Sequence, residues 1–191
     1  MMVLSVQAAG GKGRFRTVDA ILTGMFCALW AAVNLFLGPL SFQLLRSPVL
    51  HDFGVFFTLL LVSWITGRFG TASMAGVIGT ALALPLGAPF LIICFVFAAV
   101  LFDLIMVACR HRVRAASRSL VVVCIATIVS AYFAGVLIGA FFMSGSQTLE
   151  YTITFWGGLH VLGGILALAV TLPLILSLER ANVRRLLSDD R

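Results

Sequence analysis

The sequence predicts an all-α integral membrane protein, a bundle of about six transmembrane helices with both termini cytoplasmic. Three observations predict it. Of the 191 residues, 61% are hydrophobic and only 10% are charged, against about a quarter charged in an ordinary soluble domain. Six apolar runs follow one another with short polar breaks, over about 18–39, 53–67, 70–87, 89–109, 119–143 and 154–178. The arginines, Arg46 apart, fall on one side of the six-span arrangement, as cytoplasmic loops require.

The runs divide the chain into a flexible cytoplasmic tail over 1–16, a membrane domain over 17–180 and a second cytoplasmic tail over 181–191. Because about 20 apolar residues span a bilayer, a chain of this length holds several helices and no added soluble domain. The expected location is the cell membrane, crossed several times. No short apolar stretch with a small-residue cleavage site precedes the first run, so that run is read as a retained span. The second and third runs are short for full crossings, and Pro85 and Pro89 near the end of the third predict a kinked or broken helix.

The formal charge is +6, from 13 Lys and Arg against 7 Asp and Glu. Arg14 and Arg16 precede the first run, Arg110, Arg112, Arg114 and Arg118 separate the fourth from the fifth, and Arg180, Arg184, Arg185 and Arg191 follow the last. This placement carries topology rather than a nucleic-acid footprint, and no nucleic-acid partner is expected. The opposite side receives 40–52, 86–89 and 144–152, where Arg46 is the single Lys or Arg. Cys27, Cys94, Cys109 and Cys124 lie in or beside apolar runs without paired spacing, and read as small packing residues.

Small residues recur four apart on the first helix, at Gly24, Ala28 and Ala32, laying a smooth stripe along one face. That stripe serves either packing within the bundle or contact with a separate subunit. Comparable stripes occur at Ala72, Gly76 and Thr80 on the third helix and at Gly157 and Gly164 on the sixth. Polar residues within the runs are few: Asp19, Asn34, Asp103 and His160. Ionisable groups in lipid are costly and face an interior or a cavity. Asp103, near the inner end of the fourth helix, reads as a structural partner or a functional group. His160, near the outer end of the sixth and close to Trp156, reads as a packing residue or a pocket floor.

The longest outer connection runs from Gly38 to Gly54 and clusters Gln43, Arg46, His51 and Asp52. A loop this apolar is expected to fold back over the bundle. There Arg46 would offer a forked donor, and His51 with Asp52 a donor and acceptor for a small polar ligand. The bland alternative is a solvated loop in which Arg46 and Asp52 pair. Glu150 lies in the last outer loop.

No phosphate-binding Gly-Lys-Ser/Thr loop, His-Glu-x-x-His or Gly-x-Ser-x-Gly occurs. The chain is therefore not expected to hydrolyse ATP itself, and no cofactor is implied. His51 and His160 fall on the outer side and His111 on the inner, which argues against a three-His metal site.

The chain resembles the substrate-binding S components of energy-coupling factor transporters over about residues 16–186. The resemblance rests on four segments: Arg16-Thr17-Val18-Asp19 leading into a helix that carries Ala28-Leu29-Trp30-Ala31-Ala32; the Pro-containing outer loop after it; Gly67-Arg68-Phe69-Gly70 through Gly76 between the second and third helices; and Gly163-Gly164-Ile165-Leu166 running through Thr171-Leu172-Pro173 to a basic end. It implies capture of a vitamin or related micronutrient at the extracellular face, with a membrane coupling subunit and two ATPase subunits as partners. It also implies docking on the coupling subunit through Gly24, Ala28 and Ala32. The implied pocket uses Asn34, Gln43, Arg46, His51, Asp52, Glu150, Trp156 and His160. The substrate stays open among several polar heterocycles. Two other readings are a membrane-embedded enzyme on a lipid substrate, using Asp103 and His160, and a structural membrane subunit without a ligand. The enzyme needs further polar groups at matching depth, and the sequence alone offers none.

Overall fold

A computed structural model of the chain describes residues 17–111, 113, 117–143 and 148–181. The tails expected over 1–16 and 181–191 fall outside them except for Ala181, as do Arg112 and Arg114 and the loop residues 144–147. The described residues are helical, without a strand. Five helices are long and apolar enough to cross a membrane: α1 (Thr17–Leu45), α2 (Val49–Thr66), α4 (Phe90–Cys109), α5 (Arg118–Phe142) and α6 (Leu149–Arg180). The remaining one, α3 (Thr71–Leu86), is apolar but shorter.

Helix α1 packs on α3, α3 on α4, α4 on α5, α5 on α6, α6 on α2, and α2 back on α1. The six helices thus close a ring, and α2, which also meets α3, α4 and α5, is the most enclosed of the long helices. The fold follows from where small residues let large ones in. Trp30 is fully buried and donates its indole N–H to Thr80 Oγ1 at 3.0 Å. A Cβ at Gly76 or Gly79 would meet that indole or Ala99. The stripe on α3 is therefore internal packing, a seat for Trp30 and for α4. Gly157 and Gly164 are likewise covered, by Tyr132 and by Ala131 with Thr127 of α5. On α1 the outcome differs, because Gly24 and Ala28 are exposed and Ala32 is half-buried.

The connection between α1 and α2 departs most from expectation. The Gly38–Pro39 pair does not end α1. A π-helical turn over Val33–Leu37 precedes it, closed by a bond from the Gly38 N–H to Val33 O. Proline lacks a donor and crowds the carbonyl four residues back, and the wider turn makes room for it. The helix then runs on to Leu45. Arg46, left-handed with φ 52°, breaks it, and α2 begins at Val49. Ser41 fastens the corner, donating to Ser47 O at 2.6 Å and accepting from the Leu50 N–H at 3.0 Å. The expected 40–52 loop is thus two helix ends joined by residues 46–48, and Gln43, His51 and Asp52 are helical.

At the other end of α2, Gly67 (φ 60°) closes that helix and Gly70 (φ 91°) opens α3. Asp103 reaches this turn from α4. Its Oδ2 accepts from the Gly70 N–H at 2.9 Å, the Ser73 N–H at 3.1 Å and the Ser73 hydroxyl at 2.7 Å. A carboxylate at a helix N-terminus satisfies donors the helix cannot. His111 Nδ1 lies 3.4 Å from the other oxygen; burial lowers the proton affinity of its imidazole, and the Asp103 charge works against that shift. Arg68 of the same turn binds Asp19 of α1 at 3.0 Å. Asp103 is therefore bonded into the turn, while Arg110 stays exposed.

Asp103→Ala should lower stability by about 2 to 3 kcal/mol, since it strands three buried or half-buried donors. Thermal unfolding in detergent would read this as a depressed Tm, with Asp103→Asn in between. An unchanged Tm for Asp103→Ala would show that the turn does not depend on this carboxylate.

Candidate functional site

At the end of the ring where α1 turns into α2, a chain of buried polar groups crosses three helices. Asn34, in the π turn of α1, donates through Nδ2 to Trp30 O at 2.8 Å. Its Oδ1 accepts from His51 Nε2 of α2 at 3.0 Å. Next along α2, Asp52 is fully buried, and both its oxygens lie 2.9 Å from His160 Nδ1 of α6. His51 Nδ1 stands 4.0 Å from Asp52 Oδ1. The contact between α2 and α6 requires Gly163, where a Cβ would run into Asp52 and the Val49 carbonyl. Gly135 of α5 does the same for His160 and the Trp156 carbonyl.

Because a carboxylate only accepts, His160 Nδ1 carries the hydrogen that lies between them. In the neutral ring Nε2 is then an acceptor, a tautomer fixed from behind. His160 Nε2 has no hydrogen-bond partner, nor does Trp156 Nε1, and both atoms are buried. His160 and Trp156 line a small cavity of about 20 Å³ with Phe42, Pro48, His51, Leu91, Phe95, Ile138 and Met143. A second cavity of about 140 Å³ shares Phe42, His51 and Leu91 with the first, and adds Asn34, Gly38, Pro39, Pro89 and Ile92. The walls are mainly aromatic and aliphatic. Phe95 meets His51 edge-on at 4.9 Å and His160 at 5.8 Å.

Of the residues singled out from sequence, Asn34, His51, Asp52, Trp156 and His160 come together here. Asp52 stands behind His160 and does not line either cavity. Gln43, Arg46 and Glu150 do not join them: all three are exposed and line neither cavity. The Arg46–Asp52 pair weighed as the bland alternative is not formed, because α2 turns Asp52 inward to His160. Phe42, Leu91 and Phe95 were missed, since apolar residues in apolar runs carry no mark of a cavity wall. A second π turn, over Thr152–Trp156, was missed as well. It sets Trp156 just before His160, as the first sets Asn34 on α1. Among the described residues no group of three or more His, Cys, Asp or Glu gathers to hold a metal ion.

Gly163→Ala should destabilise the protein and weaken the α2–α6 contact. Gly158→Ala, on the same helix with open space around its Cβ, should be neutral or gain up to about 1 kcal/mol from helix propensity. Equal Tm values for the two variants would contradict the close approach at Gly163. No protein-family model, curated protein or solved structure matches this chain.

Proposed function

We propose that the protein is the substrate-capture component of an energy-coupling factor importer, crossing the cell membrane six times with both ends inside. It would bind a vitamin or related micronutrient at the outer face and deliver it with a coupling subunit and two ATPase subunits. The observation that carries this reading is the pair of unpartnered buried polar atoms, His160 Nε2 and Trp156 Nε1, beside an aromatic-walled cavity at one end of the ring. Pockets for small ligands are mostly apolar with a few placed polar groups, and this one has that composition.

The surface of α1 supports the partner half of the reading. Gly24 has no atom within 4 Å of its Cβ position. It lines an open groove of about 230 Å³ with Ala20, Thr23, Cys27, Met74, Ile78 and Leu82. Together with exposed Ala28, this gives another helix a place to approach closely. Ala32, half-buried, belongs to the edge of that face. The exposed Leu, Ile, Val and Phe side chains around the bundle suit a lipid environment.

The Asp52–His160 pair favours a second reading. An imidazole oriented by a carboxylate also suits a general base, and Asp52, His51 and Asn34 supply the polar groups at matching depth that a membrane-embedded enzyme requires. Asp103 does not take part, being bonded into the inner turn. Capture fits better, because the lining beside the imidazole is almost wholly apolar.

Cells lacking the protein should lose uptake of one labelled micronutrient from a vitamin panel, and the chain should restore it. Unchanged uptake across the panel would sink the importer reading. Ala28→Leu should reduce co-purification with the coupling subunit while ligand binding stays intact. The reverse pattern would show that this face has been assigned wrongly.

A further inference from the structure

The capture reading leaves the ligand's chemistry open, and the cavity floor narrows it. We infer that the site selects a small planar heterocycle presenting an amide-like edge, a ring N–H beside a carbonyl or equivalent acceptor. The inference rests on the capture reading for the site's use, and on the two unpartnered atoms for its chemistry.

Trp156 Nε1 is a donor in every state. His160 Nε2 is an acceptor whenever the ring is neutral, because Asp52 holds the hydrogen on Nδ1. One donor and one acceptor thus lie under the cavity's apolar lining, on neighbouring side chains whose ring centroids are 6.4 Å apart. A buried donor and a buried acceptor left unpaired are both costly. A ligand with one of each, in the complementary order, satisfies both. A carboxylate satisfies only the indole, and an amine bearing no acceptor satisfies only the imidazole.

The walls restrict the rest of the molecule. Phe42 and Leu91 line both cavities and Phe95 the smaller one, so a flat ring meets aromatic and aliphatic faces. The space beside His160, about 20 Å³, holds a water at most. A ring enters by joining it to the neighbouring 140 Å³ cavity. Phe42 stands at that junction and is 41% exposed, so it has solvent or lipid to swing into. Arg46 and Glu150 lie outside the cavities, and a ligand's charged substituents would project toward the outer rim rather than the floor.

The test uses the full chain in lipid nanodiscs with three probes: 2-pyridone, N-methyl-2-pyridone and benzoate. 2-Pyridone has the required edge, its N-methyl derivative lacks the donor, and benzoate is acceptor only. Ligand-observed NMR titration should show 2-pyridone binding about tenfold or more tightly than the other two, the effect of one satisfied buried hydrogen bond. Trp156→Phe should weaken both pyridones while keeping the preference for the N–H form. His160→Phe should abolish that preference. Should His160→Phe not fold, with Asp52 left unpaired, the Trp156→Phe pattern decides. Equal binding of the two pyridones, benzoate binding tightest, or no binding by any probe would overturn the inference. Uptake measured separately distinguishes the cases: intact micronutrient uptake with equal pyridone binding refutes the edge chemistry alone, whereas lost N–H selectivity and absent uptake together refute both.

Discussion

Gly163 lets α2 lie so close to α6 that Asp52 reaches His160, and the buried polar chain across α1, α2 and α6 is arranged around that contact. A buried carboxylate is tolerable only when it is paired. Pairing it with His160 commits one ring nitrogen and leaves the other buried without a partner. The neighbouring residue on the same helix, His51, is committed sideways to Asn34. Three helices are thereby tied by a few polar bonds, which add to the register set by the small-residue seats on α3 and α6.

The ionisable residues sort into two layers. One layer holds His51, Asp52 and His160; the other, at the α2–α3 turn, holds Asp19, Arg68, Asp103 and His111. Between them lies an apolar core that includes Trp30, Phe56, Leu59, Leu60, Phe95 and Phe102. The second layer fastens the α2–α3 turn, where Asp103 accepts three hydrogen bonds. Both layers keep buried polar atoms without a hydrogen-bond partner, His111 Nε2 in this one and His160 Nε2 with Trp156 Nε1 in the other, and the latter two belong to residues that line a cavity. Native proteins rarely leave buried polar atoms without partners, and where they do the site is a candidate for binding.

Much of this was legible in sequence, for definite reasons. Apolar runs mark helices in lipid because every backbone group must be satisfied within the segment, so α4, α5 and α6 could be placed to within a few residues. His160 and Asn34 stood out as polar residues in apolar surroundings. Other features left no local trace. Gly38–Pro39 reads as a break, yet a π turn absorbs it, and this moved Gln43, His51 and Asp52 from a loop onto helices. Whether a small-residue stripe faces inward or outward depends on the neighbouring helix. Gly76 meets Ala99 and Trp30, while Gly24 meets nothing, and the two patterns are alike in sequence. The Asp52–His160 pair joins residues 108 apart along the chain, a separation that periodicity cannot bridge.

The most direct measurement is native mass spectrometry of the protein gently purified from its membrane, wild type beside Trp156→Phe. If the outer cavity captures a ligand, the wild-type protein carries a bound small molecule that collision releases, and its occupancy falls in the variant while the fold is retained. A folded wild-type protein that carries none, and that binds nothing from a panel of polar heterocycles added back, would contradict the account.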